Sequence, residues 1–158
     1  GFDGGVMGWL QFTGEDGHKA PNGELTWIKT TGWTNYLDGL TNSPVTVEAS
    51  CWTNPPAGIR AIELSGGKGI VTVTGADIEE TTVPITLGEN NKFVATPALV
   101  KATVAAKTGL WKGSFVVTGE KKAVSYIGVF LQDQNYGRGF FIRPSGGGMV
   151  KMDPAPVE

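Results

Sequence analysis

Aromatic rings flanked by amide, hydroxyl and carboxylate side chains occur in three turn-rich stretches of this 158-residue chain. This combination suits carbohydrate recognition, because an aromatic face stacks on sugar C–H surfaces while polar groups hydrogen-bond the sugar hydroxyls. The candidate ligand-binding side chains are Trp33, Asn35, Tyr36 and Asp38, then Trp52 and Asn54, and finally Gln134, Tyr136 and Arg138. We predict that a polysaccharide or other glycan binds at one of these loops. The alternative is that the rings pack as ordinary aromatics at strand ends.

The pattern of ionisable residues gives little support to catalysis or metal binding. His18 is the only histidine, lies in the polar turn "GEDGHKAPNG", and is not accompanied by a G-x-S-x-G motif. No pair of carboxylates stands out for glycoside cleavage. Asp77, Glu79 and Glu80 cluster in "GADIEETT", but their spacing differs from an EF-hand loop and favours a solvated charged run. We therefore expect no catalytic residue, no metal site and no cofactor.

Charge and hydropathy narrow the range of partners. The net charge is −2, and the thirteen Lys and Arg residues are scattered singly or in pairs, so we expect no nucleic-acid partner. No run approaches the roughly 18 apolar residues of a membrane span. The single cysteine, Cys51, excludes an internal disulfide, and period-2 alternation places it on a strand face with Val45, Val47 and Ala49. We expect Cys51 to be a small buried residue.

The elements that must position these residues are predicted to be strands. Glycine accounts for 24 of 158 residues and charged residues for 18%, which favours strands and tight turns over exposed helices. Strand-length segments separated by Gly, Pro, Asn and Asp predict an all-β fold, an antiparallel barrel or sandwich of about 10–12 strands in largely meandering order. The candidates span 6–12, 24–30, 44–52, 59–64, 70–75, 81–87, 92–96, 110–117, 123–132, 138–143 and 148–152.

Two segments carry conflicting signals. In "TPALVKATVAAK" (96–107), Thr96, Pro97 and Gly109 would suit a helix, whereas the alternating Val and Ala residues suit a strand. We favour a strand, because a lone helix is the less consistent choice in a meander. Pro84 cannot donate to a strand ladder, so its segment is predicted to lie at an edge or a bulge.

The chain length suits one domain, which we place at residues 1–152. The remaining residues, 153–158, read "DPAPVE", a polar and Pro-punctuated stretch typical of a linker-like tail. We expect this tail to lead toward other domains of the same chain.

Six short motifs resemble an uncharacterised β-domain found near the C-termini of large secreted or surface proteins of bacteria. They are Leu25–Trp27, Tyr36–Leu40, Pro55–Gly58, Thr108–Phe115 in the pattern T-G-L-[FW]-x-G-S-F, Gly128–Gln132 in G-V-x-L-Q, and Gly137–Phe141 in G-x-G-[FY]-F. The resemblance covers most of residues 23–152 and implies a modular extracellular β-domain without catalytic residues. It also implies that Trp27 and Trp111 are core aromatics and that Tyr36 occupies a fixed position.

The leading hypothesis is a non-catalytic carbohydrate-binding module of a secreted, multidomain bacterial protein, located outside the cell or at its surface. The alternative is a structural or adhesive surface domain without a small ligand, and a small polysaccharide-active enzyme comes third. The exposure of four rings decides between the first two: Trp33, Tyr36, Trp52 and Tyr136, of which Trp33 and Trp52 are not obviously required by a core. Exposed rings favour sugar binding, and packed rings favour a structural domain.

Overall fold

The computed structural model describes residues 4–15, 18–32, 38–95 and 99–156. The chain divides into two compact units, residues 1–51 and 52–158. The fold is all-β, as the sequence predicts, and within the described ranges the helical structure is limited to the 3-10 turn Ser65–Gly67. All strand pairings are antiparallel, which agrees with the predicted meander.

The described part of the first unit is a three-stranded sheet in the order β1-β2-β3. Its strands are β1 (Gly4–Glu15), β2 (His18–Lys29) and β3 (Leu40–Val47). The β1–β2 register runs without a break from the Gly4–Lys29 pair to the Glu15–His18 pair. None of the described side chains of this unit is fully buried, so the sheet is a single layer without a core of its own.

The described part of the second unit is an eight-stranded antiparallel sheet that curls into a nearly closed barrel. Consecutive strands are neighbours, and the last strand pairs with the first, so the topology is up-and-down. The strands are β4 (Lys68–Gly75), β5 (Ile78–Leu87), β6 (Phe93–Ala95), β7 (Val100–Ala105), β8 (Leu110–Val116), β9 (Ala123–Leu131), β10 (Tyr136–Arg143) and β11 (Gly146–Pro154).

The seam of the barrel lies between β6 and β7, where the described residues join through an isolated bridge from Lys92 to Thr103. The segment 96–107 that carried conflicting signals contributes strand β7, so the strand prediction is confirmed for its described part. Pro84 lies in β5 opposite Ile70, whereas β6 pairs with β5 from Ile85 onward. In the described structure Pro84 lies just outside the β5–β6 pairing, so on that side β5 is locally an edge at the proline, although β4 pairs with it on the other side.

Aromatic side chains fill the barrel interior. Trp111 is fully buried, its ring centroid lies 5.6 Å from that of Phe130, and it meets Tyr126 edge-on at 5.0 Å. Phe115 and Phe141 form a second edge-to-face pair at 4.9 Å. The predicted core position of Trp111 is confirmed, whereas Trp27 is only half-buried in the first unit's sheet. Eight-stranded barrels of this kind are just wide enough to be filled by side chains.

Glycines lie opposite several of these rings. In the strand registers, Trp111 pairs with Gly128, Tyr126 with Gly113, Phe130 with Gly137 and Phe141 with Gly148. A methyl group on Gly128 or Gly148 would overlap the facing ring. The high glycine content of the chain is therefore in part a packing requirement, because each ring occupies the space that a neighbour's side chain would fill.

The predicted strand at 59–64 is wrong. This segment forms no strand pairing, although Ala61, Ile62 and Leu64 are buried in the core. Side-chain amides replace the ladder: Asn91 accepts from Ala61 N at 2.7 Å and donates to Ile59 O at 3.1 Å, and Asn135 contacts Glu63 N and O in the same way. The segment is apolar like a strand because it packs on the core, and its backbone is satisfied without one.

Strand β11 extends to Pro154, two residues beyond the predicted end of the domain at residue 152, because Asp153 and Pro154 pair with Ile70 and Gly69. Ala155 N also donates to Lys68 O at 3.2 Å. None of the helical segments in the described ranges is long and apolar enough to cross a membrane.

Candidate functional site

Trp52 packs as part of the barrel rather than lying free on a loop. Its half-buried ring contacts the core, and its indole Nε1 donates to Ala106 O at 2.9 Å. A methyl group added at Gly109 would lie 2.5 Å from the ring, so the indole covers the face of that glycine. Asn54, the predicted polar partner, is exposed. Of this predicted pair, Asn54 faces water, whereas Trp52 is half-buried and bonded through its indole N–H.

Tyr136 is half-buried beneath the guanidinium of Arg138, whose Cζ lies 3.7 Å from the ring centroid. Arg138 is itself held by Asp153, with Nη1 and Oδ1 2.8 Å apart. The structure thus brings two predicted site residues together, and the guanidinium covers one face of the Tyr136 ring, which closes that face to a sugar. Gln134, the third predicted residue of this stretch, is exposed.

The remaining predictions concern the stretch around residue 33. Trp33, Asn35 and Tyr36 lie outside the described residues, and their predicted roles stay predictions. Asp38 is described and exposed. Cys51 is half-buried and follows the end of β3, so the predicted alternation holds through Val47 but stops short of the cysteine.

Two amide residues that neighbour the predicted site in sequence have a structural role. Gln132 accepts from Thr53 N at 2.7 Å and donates to Thr53 O and Ala61 O, both at 3.0 Å. Asn135 adopts a positive φ of 61° and contacts the backbone of Glu63. These amides anchor the segment 52–64, so the polarity of "QDQNYGR" reflects internal hydrogen bonding as well as exposure.

The acidic run from Asp77 to Glu80 belongs to a hairpin. Ala76 and Asp77 form the two-residue connection between β4 and β5, with φ angles of 52° and 62°, as a type I′ turn requires. Among the residues that the structure describes, no group of three or more His, Cys, Asp or Glu side chains could hold a metal ion.

The most exposed large aromatic of the described chain is Trp9 on β1, at 90% relative exposure. Because opposite residues of an antiparallel pair share a face, the register places Trp9 beside Glu24, Gln11 beside Asn22 and Met7 beside Thr26. We call this set, together with Thr13, the Trp9 face. Asn22 Nδ2 donates to Thr13 Oγ1 at 3.0 Å, which confirms that these side chains lie on one side of the sheet.

The opposite face of the same sheet is apolar. Its members alternate with those of the Trp9 face and are Val6, Leu10, Phe12, Pro21, Leu25, Trp27, Val45 and Val47. The β2 residues of this face are half-buried, whereas Asn22 and Glu24 on the Trp9 face are exposed. Trp9 therefore stands on the side of the sheet that carries the polar β2 residues, which is not where packing would place an indole.

The sequence contains a signal that would have located this arrangement. "Asp-Gly" at 16 and 17 separates two strand-like runs and is typical of a two-residue hairpin connection. A two-residue connection pairs residue 15 with residue 18, which is the observed register, and so sets Trp9 opposite Glu24. The alternation of Asn22, Glu24 and Thr26 then predicts a polar face around the ring.

The second unit has two grooves, and their described lining is poorer in aromatic groups than the Trp9 face. One groove of about 660 Å³ lies beside β4 and β5 and is lined by Lys68, Ile70, Pro84, Thr86 and Val94, among others. A second, of about 600 Å³, holds Glu63 and Glu89, and Glu89 Oε1 lies 3.9 Å from Arg60 Nη2. Within the described residues neither groove contains an aromatic ring, so neither resembles a sugar-stacking site.

No family model matches the chain, and no curated protein or solved structure matches it significantly.

Proposed function

We propose that the chain is a non-catalytic carbohydrate-binding module and that the Trp9 face is its glycan platform. The observation that carries the proposal is the 90% exposure of Trp9 on the polar side of a sheet. A large indole held in water contributes little to folding, whereas its face can stack on a sugar ring. Around it lie the carboxylate, amide and hydroxyl groups that hydrogen-bond sugar hydroxyls.

The geometry of the platform favours an extended polymer. Met7, Gln11 and Thr13 continue the row of Trp9 along β1, and side chains on one face of a strand recur about every 7 Å. The exposed strand surface offers a ligand chain the Met7 side chain on one side of the ring and the polar Gln11 and Thr13 side chains on the other. A secreted or surface location, expected from the sequence, suits such a ligand.

The proposal is tested by pull-down on a panel of insoluble polysaccharides, with Trp9→Ala as the test variant and Phe12→Ala as its control. Phe12 is also exposed, at 63%, and lies on the same strand but on the opposite face. We expect Trp9→Ala to abolish binding and Phe12→Ala to retain it. Failure of the parent to bind any polysaccharide, or equal loss in both variants, contradicts the proposal.

A structural or adhesive surface domain is the second candidate, and a separate observation favours it. The barrel interior is filled, and Trp52 and Tyr136 are packed by Gly109 and Arg138. These features describe a stable spacer. A protein that contains this domain and still adheres to its surface or partner after Trp9→Ala would favour this second function.

A further inference from the structure

The charges around Trp9 are of one sign. Glu24 lies directly opposite Trp9, and Glu15 lies on the same face near the hairpin end. Lys19 and Lys29 pair with Gly14 and Gly4, which places both lysines on the opposite, apolar face. The described side chains of the Trp9 face therefore carry acidic groups and no cation.

Both groups at the centre of this face attract a cation. Directly opposite residues of an antiparallel pair have Cβ atoms about 5 Å apart, so a ligand stacked on Trp9 lies within reach of the Glu24 carboxylate. The indole face is negative and is the best aromatic acceptor for an ammonium group. Glu24 is exposed and free to turn toward a ligand on the ring.

We propose that the Trp9 face selects glycans with free amino sugars over neutral glycans, and selects against acidic ones. This inference rests on the proposed function, since it assigns a ligand class to the same platform. An ammonium group near Trp9 gains from the carboxylate and from the ring, whereas a uronate is repelled by both. Thr46, which pairs with Glu24 on its β3 side, adds a hydroxyl that any of these sugars can use.

The expected selectivity is modest because the site is open to water. One attractive unit charge at about 5 Å in water changes an equilibrium constant roughly fourfold. The effect should fall as salt rises, since the Debye length shortens from roughly 30 Å at 0.01 M to roughly 3 Å at 1 M. A preference that survives high salt would need a different explanation.

The test is calorimetric titration with three soluble oligomers of equal length: a glucosamine oligomer, its N-acetylated counterpart and a galacturonate oligomer. Each is measured at about 0.01 M and about 1 M salt. The parent should bind the glucosamine oligomer roughly fourfold or more tightly than the acetylated one at low salt, and the galacturonate oligomer most weakly. Glu24→Gln should remove this preference while retaining the acetylated ligand.

Glu15→Gln is the matched control. It makes the same change on the same face, but six residues along the strand, about 20 Å from Trp9. This variant should keep the preference. If the amino and acetylated oligomers bind the parent equally, or if Glu15→Gln removes the preference as fully as Glu24→Gln, the inference is overturned and the platform itself stands. If none of the three oligomers binds, the inference is overturned, and the proposed function is contradicted as well only when the parent also binds no polysaccharide of the panel.

Discussion

Trp111 lies directly opposite Gly128 in the pairing of β8 with β9, and a methyl group at position 128 would overlap the indole Nε1. The indole in turn donates to Arg138 O at 3.3 Å on the next strand. One ring thus spans three neighbouring strands because the glycine between them leaves room for it. Other interior rings also lie opposite a glycine of the neighbouring strand: Tyr126 faces Gly113, Phe130 faces Gly137 and Phe141 faces Gly148. The barrel is therefore packed by rings that occupy the space left by glycines.

The first prediction tests this pairing. Gly128→Ala should lower the free energy of unfolding by about 2–3 kcal/mol, because an added methyl group in a filled core forces the ring or the backbone to move. Denaturant unfolding measures the change. Gly88→Ala is the control, since the atom nearest an added methyl there is Asn90 Oδ1, the end of a side chain, at 2.9 Å. Equal effects of the two variants would show that the ring does not require the glycine.

The second prediction concerns the ring itself. Trp111→Ala should cost about 3–5 kcal/mol, since it deletes a fully buried aromatic and leaves a cavity. Phe115→Ala should cost a similar amount, because Phe115 contacts Phe141 in the same interior. A melting temperature within a few degrees of the parent for either variant would contradict the assigned interior face.

The third prediction addresses the segment 52–64. Gln132→Glu keeps the acceptor for Thr53 N but replaces the donor that serves Thr53 O and Ala61 O. A carboxylate facing two carbonyl oxygens is unfavourable, so we expect a loss of about 1–3 kcal/mol at neutral pH and faster amide exchange at residues 53–61. The size of the side chain is unchanged, which separates hydrogen bonding from packing. Parent-like exchange in this segment would mean that the amide does not anchor it.

The fourth prediction is a pH dependence. Burial raises the pKa of the Tyr126 phenol above its ordinary value, and its hydroxyl donates to Lys101 O at 3.0 Å. The folded state thus keeps a proton that the unfolded chain releases near pH 10, so this stabilisation is complete below that pH and is lost as pH rises above it. Tyr126→Phe should cost about 1 kcal/mol at pH 7 and flatten the alkaline decline. An alkaline profile unchanged by this variant would contradict the assignment.

The barrel hairpins are visible in the sequence because each strand has one buried face. Period-2 alternation in β8 marks Trp111 and Phe115 as interior residues, and the structure agrees. The segment 59–64 could not be predicted, since the side chains that satisfy its backbone, Asn91 and Asn135, lie at least 30 residues away in sequence. An apolar run alone does not distinguish a strand from an irregular segment that packs on the core and is held there by side-chain hydrogen bonds.

The chemistry of the candidate site was predictable from the sequence, whereas its position follows only from the Asp-Gly signal at 16 and 17, which sets the β1–β2 register. The sequence indicates aromatic rings beside amides and carboxylates, and the structure presents that combination on β1 and β2. Polar neighbours make Trp52 and Tyr136 candidate ligand-binding rings in the sequence, yet those neighbours include groups that bond internally. The exposure of Trp9 cannot be predicted from "VMGWLQF" alone, because each face of this strand carries large apolar side chains.

Glycan binding by this domain, as proposed, requires contact between the glycan and the Trp9 ring. Two-dimensional NMR of ¹⁵N-labelled protein resolves the indole N–H signals of the five tryptophans, and Trp9→Phe assigns the one that matters. During titration with a soluble oligomer of a polysaccharide that the protein retains, the Trp9 signal should shift along a saturable curve, while the signal of buried Trp111 stays in place. A glycan that binds without moving the Trp9 signal would contradict the assignment of this face as the binding site.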